Sequence, residues 1–414
     1  MSATTVQDPL RPVGGFQRAV GNLLVGTLVP LGLRVLRALP RNPRLGKIVV
    51  ASRYDEVREV FLNDPAFHVP YAEKLNVIMG GHPFFLGMND TQQYRDDTAA
   101  MRKVIRTSDI AARLVPAVEK IGEQIVAGAR GRLEVVELVR KITFDVYRDY
   151  FGVTDPPGAD LRVWATRLFE FQFVDGNNDP ALRAEVNDIA PKLRNHIQSL
   201  MDKRPASGPA IDDVLGRCLD MQKNGEPGFS DDQIRSSLMG FIVGGPPQPP
   251  MVVPQAMEQL LRRPKELAGA QAAASKNDDA LLAGYVFEAM RFDPLAPFMP
   301  RVAGTESSIA AGTRRAVKVP KGATVYVAFS SAMMDKRRVT DPYTFNPRRP
   351  EHEYIHFGYG LHQCFGIHMN KALLPLMLKA LLRRKNLRRA PGADGKLSKR
   401  IAFADALHVT YDPI

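Results

Sequence analysis

The run Phe357-Gly358-Tyr359-Gly360-Leu361-His362-Gln363-Cys364-Phe365-Gly366 sets one cysteine on a glycine-rich loop, just ahead of an apolar stretch with helical spacing. Glycine lets the backbone turn sharply and come close to a flat macrocycle. A sulfur held on such a turn can accept backbone N–H hydrogen bonds, which tune a thiolate bound to haem iron. Phe357 then forms an apolar wall beside the sulfur, and His362 supplies a polar group near the macrocycle's edge. A lone cysteine in a glycine turn is more often an ordinary buried thiol. The ordered spacing of aromatic, glycines, histidine and cysteine argues for the ligand instead.

The chain has 414 residues, 45% of them hydrophobic, enough for a large core and far from the composition of disorder. Only two cysteines occur, Cys218 and Cys364, with no paired spacing. That excludes a disulfide framework and points to a reducing, cytoplasmic compartment. Cys218 sits in a helical pattern and reads as core. The net charge of +12 fits nucleic acid, an anionic membrane or an acidic protein, but no nucleic-acid motif accompanies it. The cluster Lys379, Arg383, Arg384, Lys385, Arg388 and Arg389 reads either as a docking face for an electron donor or as a solvated helix end. Residues 1–44 form an apolar and basic N-terminal segment. Its apolar core, Ala19 to Leu33, reads as too short to span a bilayer and as broken by Pro30 and Gly32. An amphipathic helix touching the protein or a membrane surface is the expectation there.

Residues 45–414 read as one catalytic domain. Lys47 to Ala51 is β-like, and Tyr54 to Phe61 has helical spacing. Between about residues 95 and 290 the pattern is mostly helical, interrupted at Asp155–Gly158 and Pro205–Pro209. Val317 to Val327 reads as strand, turn and strand, and Lys371 to Arg384 as a final long helix. The expected class is mainly α, an α+β arrangement with a minor sheet.

Glu288 and Arg291 stand three apart on a helical segment, so both side chains share a face and can pair. Apolar neighbours predict a buried pair, which needs further partners, and Arg349 is a candidate third member. With these residues in hand, the chain resembles the cytochrome P450 family, from roughly residue 45 to the end and most specifically in the last 130 or so residues. The resemblance implies that fold, with haem b between distal and proximal helices and Cys364 as its axial thiolate. It makes Phe357, Gly358, His362, Cys364 and Gly366 the ligand loop, and Glu288, Arg291 and Arg349 a structural triad. Arg301 and His362 fall where the family contacts the haem propionates.

Two departures from the family stand out. Its distal helix carries an acid followed by Thr, which deliver protons to iron-bound dioxygen. Here Pro247 and Gln248 take those places, within Gly244-Gly245-Pro246-Pro247-Gln248-Pro249-Pro250. Proline has no proton to give, an amide is a poor acid, and each helix-interior proline costs on the order of 3 kcal/mol. In the helix near residues 88 to 102, Tyr94 replaces the family's His or Trp, and Thr98 its arginine, leaving Arg95 or Arg102 as substitutes. By family position the pocket is lined by Met79, Phe84, Phe85, Phe241, Val243, Ala296, Pro297 and Phe298. These predict a hydrophobic small molecule: a lipid, terpenoid, steroid or aromatic.

The resemblance implies a haem-thiolate oxidoreductase. The altered distal helix favours use of a peroxide or hydroperoxide, as isomerase, dehydratase or peroxygenase, with Gln248, Gly244 and Gly245 at the reacting site. Two readings stay open beside it. One is a dioxygen-dependent monooxygenase fed by an acidic ferredoxin or a flavin reductase at the proximal face. The other is a haem-binding sensor without turnover.

Overall fold

The computed structural model describes residues 8–204 and 211–413, apart from the side chains of Gln17 and Val25; the expected break at Pro205–Pro209 lies outside them. The chain divides into two compact units. The first takes Tyr71–Leu114 and Arg140–Pro249, with the N-terminal residues to Val13. It is helical. Pro180–Asp202, its longest helix, packs against Ala72–Met79, Leu161–Phe169 and Asp231–Gly244. Ser230 and Gln233 start the last of these reciprocally: the Gln233 N–H donates to Ser230 Oγ at 3.4 Å, and the Ser230 N–H to Gln233 Oε1 at 3.2 Å.

The second unit comprises Gly14–Pro70, Val115–Val139 and Pro250–Ile414. Its five-stranded sheet runs in the order Arg44–Leu45, Ile48–Ala51, Thr324–Val327, Met299–Ala303, Phe67–His68. Ile48–Ala51 pairs in parallel with Thr324–Val327, and the other pairs are antiparallel. Val49 and Ala51 alternate with less buried neighbours, as do Val325 and Val327. These side chains share a core with Val57, Val60 and Phe61 of helix Tyr54–Leu62. Glu56 accepts from the N–H groups of Ser52 and Arg53 at the start of that helix, satisfying donors a helix start leaves open.

The helix-rich α+β class expected from sequence is observed, with corrections in detail. Gly15–Ala38 is helical throughout, with a π turn at Leu24–Leu28. Pro30 does not break it and stands just after that π turn. By length and composition Arg18–Ala38 could cross a membrane, contrary to the expectation from Ala19 to Leu33 alone. Strands Val317–Val319 and Thr324–Val327 form, but each pairs in a different sheet. The last helix begins earlier than expected, at Ile367, and stops at Leu376 before a short turn at Lys379–Leu382. The C-terminal basic cluster is divided: Arg383, Lys385 and Arg388 are exposed, whereas its other three members are tied to carboxylates. Lys379 is buried and pairs with Asp279 at 2.7 Å and with Glu119, while Arg384 meets Glu123 and Arg389 meets Glu258 at 2.6 Å.

Glu288, on helix Asp279–Phe292, is fully buried and accepts six hydrogen bonds from four residues. Arg291 donates to it at 2.9 and 2.6 Å, Arg349 at 3.0 and 3.2 Å, Tyr354 Oη at 3.1 Å and the Asn346 N–H at 3.0 Å. Arg349 also binds Glu353 at 2.5 Å. Burial by itself would raise the Glu288 carboxyl, but the hydrogen bonds from Arg291 and Arg349 hold it below its ordinary value. Beside this network, His356 Nε2 lies 2.9 Å from the Phe287 carbonyl. Burial pushes its imidazole down to about 4, against that carbonyl's pull upward.

Glu288→Gln leaves the buried Arg291 without a carboxylate, while Arg349 keeps Glu353, and is expected to cost about 3–5 kcal/mol; a urea midpoint equal to wild type would show the network to be dispensable. For His356, the unfolded imidazole titrates near 6.5 and the folded one near 4. Between those values only the unfolded chain binds the proton, so stability is full above pH 6.5 and falls as the pH drops toward 4. His356→Phe should flatten that part of the urea-midpoint profile; an unchanged slope would locate the pH dependence elsewhere.

Candidate functional site

The thiolate loop is built entirely within the second unit. Gly358 and Gly360 adopt φ values of +69° and +73°, the left-handed region that glycine enters without strain. At Gly360 a side chain is excluded twice over, since a Cβ would stand 2.6 Å from the Phe61 carbonyl oxygen. The loop closes on itself through Cys364 N–H to the Phe357 carbonyl at 2.9 Å, and Gln363 N–H to Gly360 at 3.1 Å. Phe357 stands edge-on to Phe287, with ring centroids 6.1 Å apart, which ties the loop to the helix that carries Glu288.

The Cys364 sulfur has two donors: the Gly366 N–H, and Asn370 Nδ2 at 3.5 Å. Burial pushes the thiol's pKa up, and both donors oppose that by favouring the thiolate. Cys218, by contrast, is deep in the first unit and pushed up to about 12 by burial, with Asp213 adding to it. It is an inert core thiol. Among the described residues no group of three or more His, Cys, Asp or Glu side chains could hold a metal ion. One hydrogen-bonded sulfur on a glycine turn is a donor set for an iron already held by a macrocycle, so these residues fit haem b.

Arg301 is buried in the sheet, donates to the Pro300 carbonyl at 3.0 Å and lies over the Phe61 ring. The side chain of His362 is buried too, with Nε2 3.9 Å from Asp64 Oδ1. Ala296, Pro297 and Phe298 are half-buried; Phe298 packs on Tyr326, and Ser330 Oγ donates to the Pro297 carbonyl at 2.7 Å. A groove of about 1460 Å³ lies beside the thiolate loop, lined in part by Phe357, Gly358, Gln363, His368 and Lys371. Several of its cations already have carboxylate partners: Lys371 meets Glu351, and Arg338 meets Asp55 at 2.9 Å.

The sequence-predicted distal residues lie in the first unit. Phe84, Phe85, Tyr94, Phe151 and Phe241 form one aromatic cluster, with centroid distances from 4.2 to 6.3 Å. Met79 and Val243 are buried. Phe84 fills the space above Gly240, where a Cβ would come within 2.3 Å of its ring. Of the three residues considered on helix Gln92–Val104, Tyr94 turns inward, whereas Arg102 is exposed and Arg95 pairs with Asp90 in solvent. The structure thus does not place those two arginines with the buried residues.

Helix Asp231–Gly244 ends where the prolines begin, and a new helix starts at Pro249. Pro246 and Pro247 bring no N–H to the carbonyls of Ile242 and Val243. Gln248 repairs part of this loss. Its backbone N–H reaches Gly245 at 3.2 Å, one residue short of helical register, and its side-chain amide donates to the Gly244 carbonyl. Gly244 itself borders open space, with no atom within 4 Å of where a Cβ would stand. Sequence reading found Gln248 but missed its bond to Gly244, and missed Asn370 and Glu353 as well. Each becomes visible only when a turn brings it back on its partner.

A profile of the family described as Cytochrome P450 matches residues 276–401. Two fungal proteins, both described as bifunctional dioxygenase (DOX)-epoxy alcohol synthase (EAS), are similar to this chain. That of Pyricularia oryzae is 38% identical over 121 residues, 29% of this chain and 10% of that protein. That of Fusarium oxysporum is 29% identical over 393 residues, 84% of this chain but 30% of that protein. The chain therefore spans less than a third of either relative's length. Cytochrome P450 107B1 of Saccharopolyspora erythraea is 26% identical over 361 residues, 83% of each chain. Among solved structures, a cytochrome P450 from Chondromyces apiculatus superposes with a TM-score of 0.76 at 19% identity, covering 95% of this chain and 97% of its own.

Proposed function

Because this chain belongs to the cytochrome P450 superfamily, as a divergent bacterial-type haem-thiolate oxidoreductase, we propose that it rearranges a hydroperoxide of an apolar, unsaturated molecule, with lipids the preferred class. The observation that carries this reading is the stretch Gly244–Pro250, where the family's acid–Thr pair is absent and the amide of Gln248 is anchored on the Gly244 carbonyl. Reductive use of dioxygen consumes protons, which an acid–Thr pair of the protein would deliver. A hydroperoxide arrives already reduced. Its conversion to an epoxy alcohol is an isomerisation: the O–O bond and a C=C π bond break, two C–O bonds form, and no external electrons are consumed. The names of the fungal relatives pair a dioxygenase with an epoxy alcohol synthase, which supports the same type of product.

Haem b, held by Cys364, would supply the electron-rich iron at which the O–O bond is cleaved. The protein's own groups have separate tasks. Gln248 uses one N–H on Gly244, which orients the amide, and its second N–H is available to the distal oxygen of the hydroperoxide. Gly244, bordered by open space, leaves room for the reacting group. Phe84, Phe85, Phe241 and Val243 would bind the apolar chain and exclude water. Arg301 and His362 would hold the propionates.

The competing reading is a dioxygen-dependent monooxygenase, favoured by the similarity to Cytochrome P450 107B1 along 83% of the chain. Ferric enzyme mixed with a fatty-acid hydroperoxide and no reductant should give a product of unchanged mass that retains both peroxide oxygens. Gln248→Ala should slow this turnover on the order of 10²-fold, the usual effect of one lost donor at a developing oxyanion. Inertness without reductant, together with product formation when a ferredoxin, reductase and dioxygen are supplied, would sink the rearrangement reading.

A further inference from the structure

The helix Gly15–Ala38 has two unlike sides. One is fastened to its own unit. Arg18 donates to the Lys399 carbonyl at 3.0 Å and pairs with Asp405 at 2.6 Å, and Asn22 reaches the same carbonyl at 3.0 Å. Further along, Leu33 is buried and Arg37 donates to the Ser331 carbonyl at 2.8 Å. The other side presents Phe16, Val20, Leu23, Leu24, Leu28, Leu31 and Val35, all exposed and recurring at helical steps of three and four. Leu39, Leu45 and Ile48 extend the same exposed apolar character beyond the helix. Only 6% of the most apolar 18-residue window of Arg18–Ala38 lies inside the protein. A continuous stripe of this size marks an interaction surface.

Charge selects the partner. Between Gly15 and Tyr54 the chain has seven basic residues and no acidic one. Arg34, Arg41, Arg44 and Lys47 are exposed among Leu31, Val35, Leu39 and Leu45. We propose that this face seats in the headgroup region of an anionic bilayer, with the helix lying along the surface. Its ties near both ends, to Asp405 and to Ser331 of the same unit, hold it against the protein, so it does not span despite sufficient length. A second copy would bring the same acid-free basic face against itself, which like-charge repulsion opposes. Haem-loaded full-length chain should float with vesicles of phosphatidylcholine containing phosphatidylglycerol, and much less with phosphatidylcholine alone. The triple change Leu24→Glu, Leu28→Glu, Leu31→Glu, at exposed positions, should lower the bound fraction at least about tenfold without altering the haem spectrum. No flotation with anionic vesicles, or equal flotation of the variant, overturns the proposal. So does a concentration-dependent dimer that the triple change abolishes while flotation persists.

A second inference rests on an independent contact and on haem binding alone, not on the hydroperoxide reading. Asn370 Nδ2 stands 3.5 Å from Cys364 Sγ, and Gly366 lies beside both, with the place of its missing Cβ 3.6 Å from that nitrogen. The Asn370 backbone N–H holds the Gly366 carbonyl at 2.9 Å, which fixes the side chain's origin. We infer that Asn370 is a positioning residue whose amide draws charge from the axial sulfur and so weakens its donation to the iron. Asn370→Leu keeps the bulk and removes the donor; Asn370→Ala removes both. Both variants should show a lower ferric/ferrous potential and a displaced Soret band of the ferrous carbonyl complex. A wild-type potential and spectrum in Asn370→Leu would overturn the assignment. Loss of the thiolate signature in both variants would do so as well, by making the residue a support for the loop.

Discussion

The carboxylate of Glu288 is the constraint on which the thiolate side of this protein depends. A buried charge is tolerable only with partners that neutralise it and satisfy its lone pairs. Arg291 comes from its own helix, but Arg349, the Asn346 N–H and Tyr354 come from the irregular chain that leads into the thiolate loop. The need to satisfy one carboxylate therefore folds that irregular stretch onto helix Asp279–Phe292. Arg291 and Arg349 reach further, to the carbonyls of Met333, Pro342 and Thr340. Backbone that no sheet or helix accounts for is satisfied in this way, and Cys364 follows eleven residues after Glu353 on a path already fixed.

The distal helix shows the opposite strategy. Four prolines within five residues remove donors that a core helix needs, and one glutamine restores part of the ladder through both its backbone and its side chain. The boundary between the compact units also falls here, between Pro249 and Pro250. A residue that closes a broken helix is held rigidly. Rigidity is what an amide needs if its remaining donor is to meet a substrate oxygen in a set place. Structural repair and chemistry are thus compatible in Gln248.

Cations are spent in two ways. Near the C-terminus, Lys379, Arg384 and Arg389 are consumed by Glu119, Asp279, Glu123 and Glu258 and act as ties between helices, strands and loops. Near the N-terminus, Arg34, Arg41, Arg44 and Lys47 have no carboxylate in the surrounding sequence and stay exposed beside apolar side chains. The same residue type reads identically in composition. What separates the two groups is whether another segment brings an acid to them.

From sequence alone came the cofactor loop, the partners Glu288 and Arg291, the helix-rich class and the missing acid–Thr pair. All of these are short-range: fixed spacings along one turn or one loop, whose chemistry depends on residue type and local geometry. The reach of Arg349 to Glu353, the amide of Asn370 at the sulfur, the pairing of Val317–Val319 and Thr324–Val327 in separate sheets and the unbroken helix through Pro30 were not legible there. Each depends on where a turn sends the chain or on which distant segment supplies a partner. Spacing names the groups that can interact, but burial and hydrogen bonding in three dimensions decide which of them do.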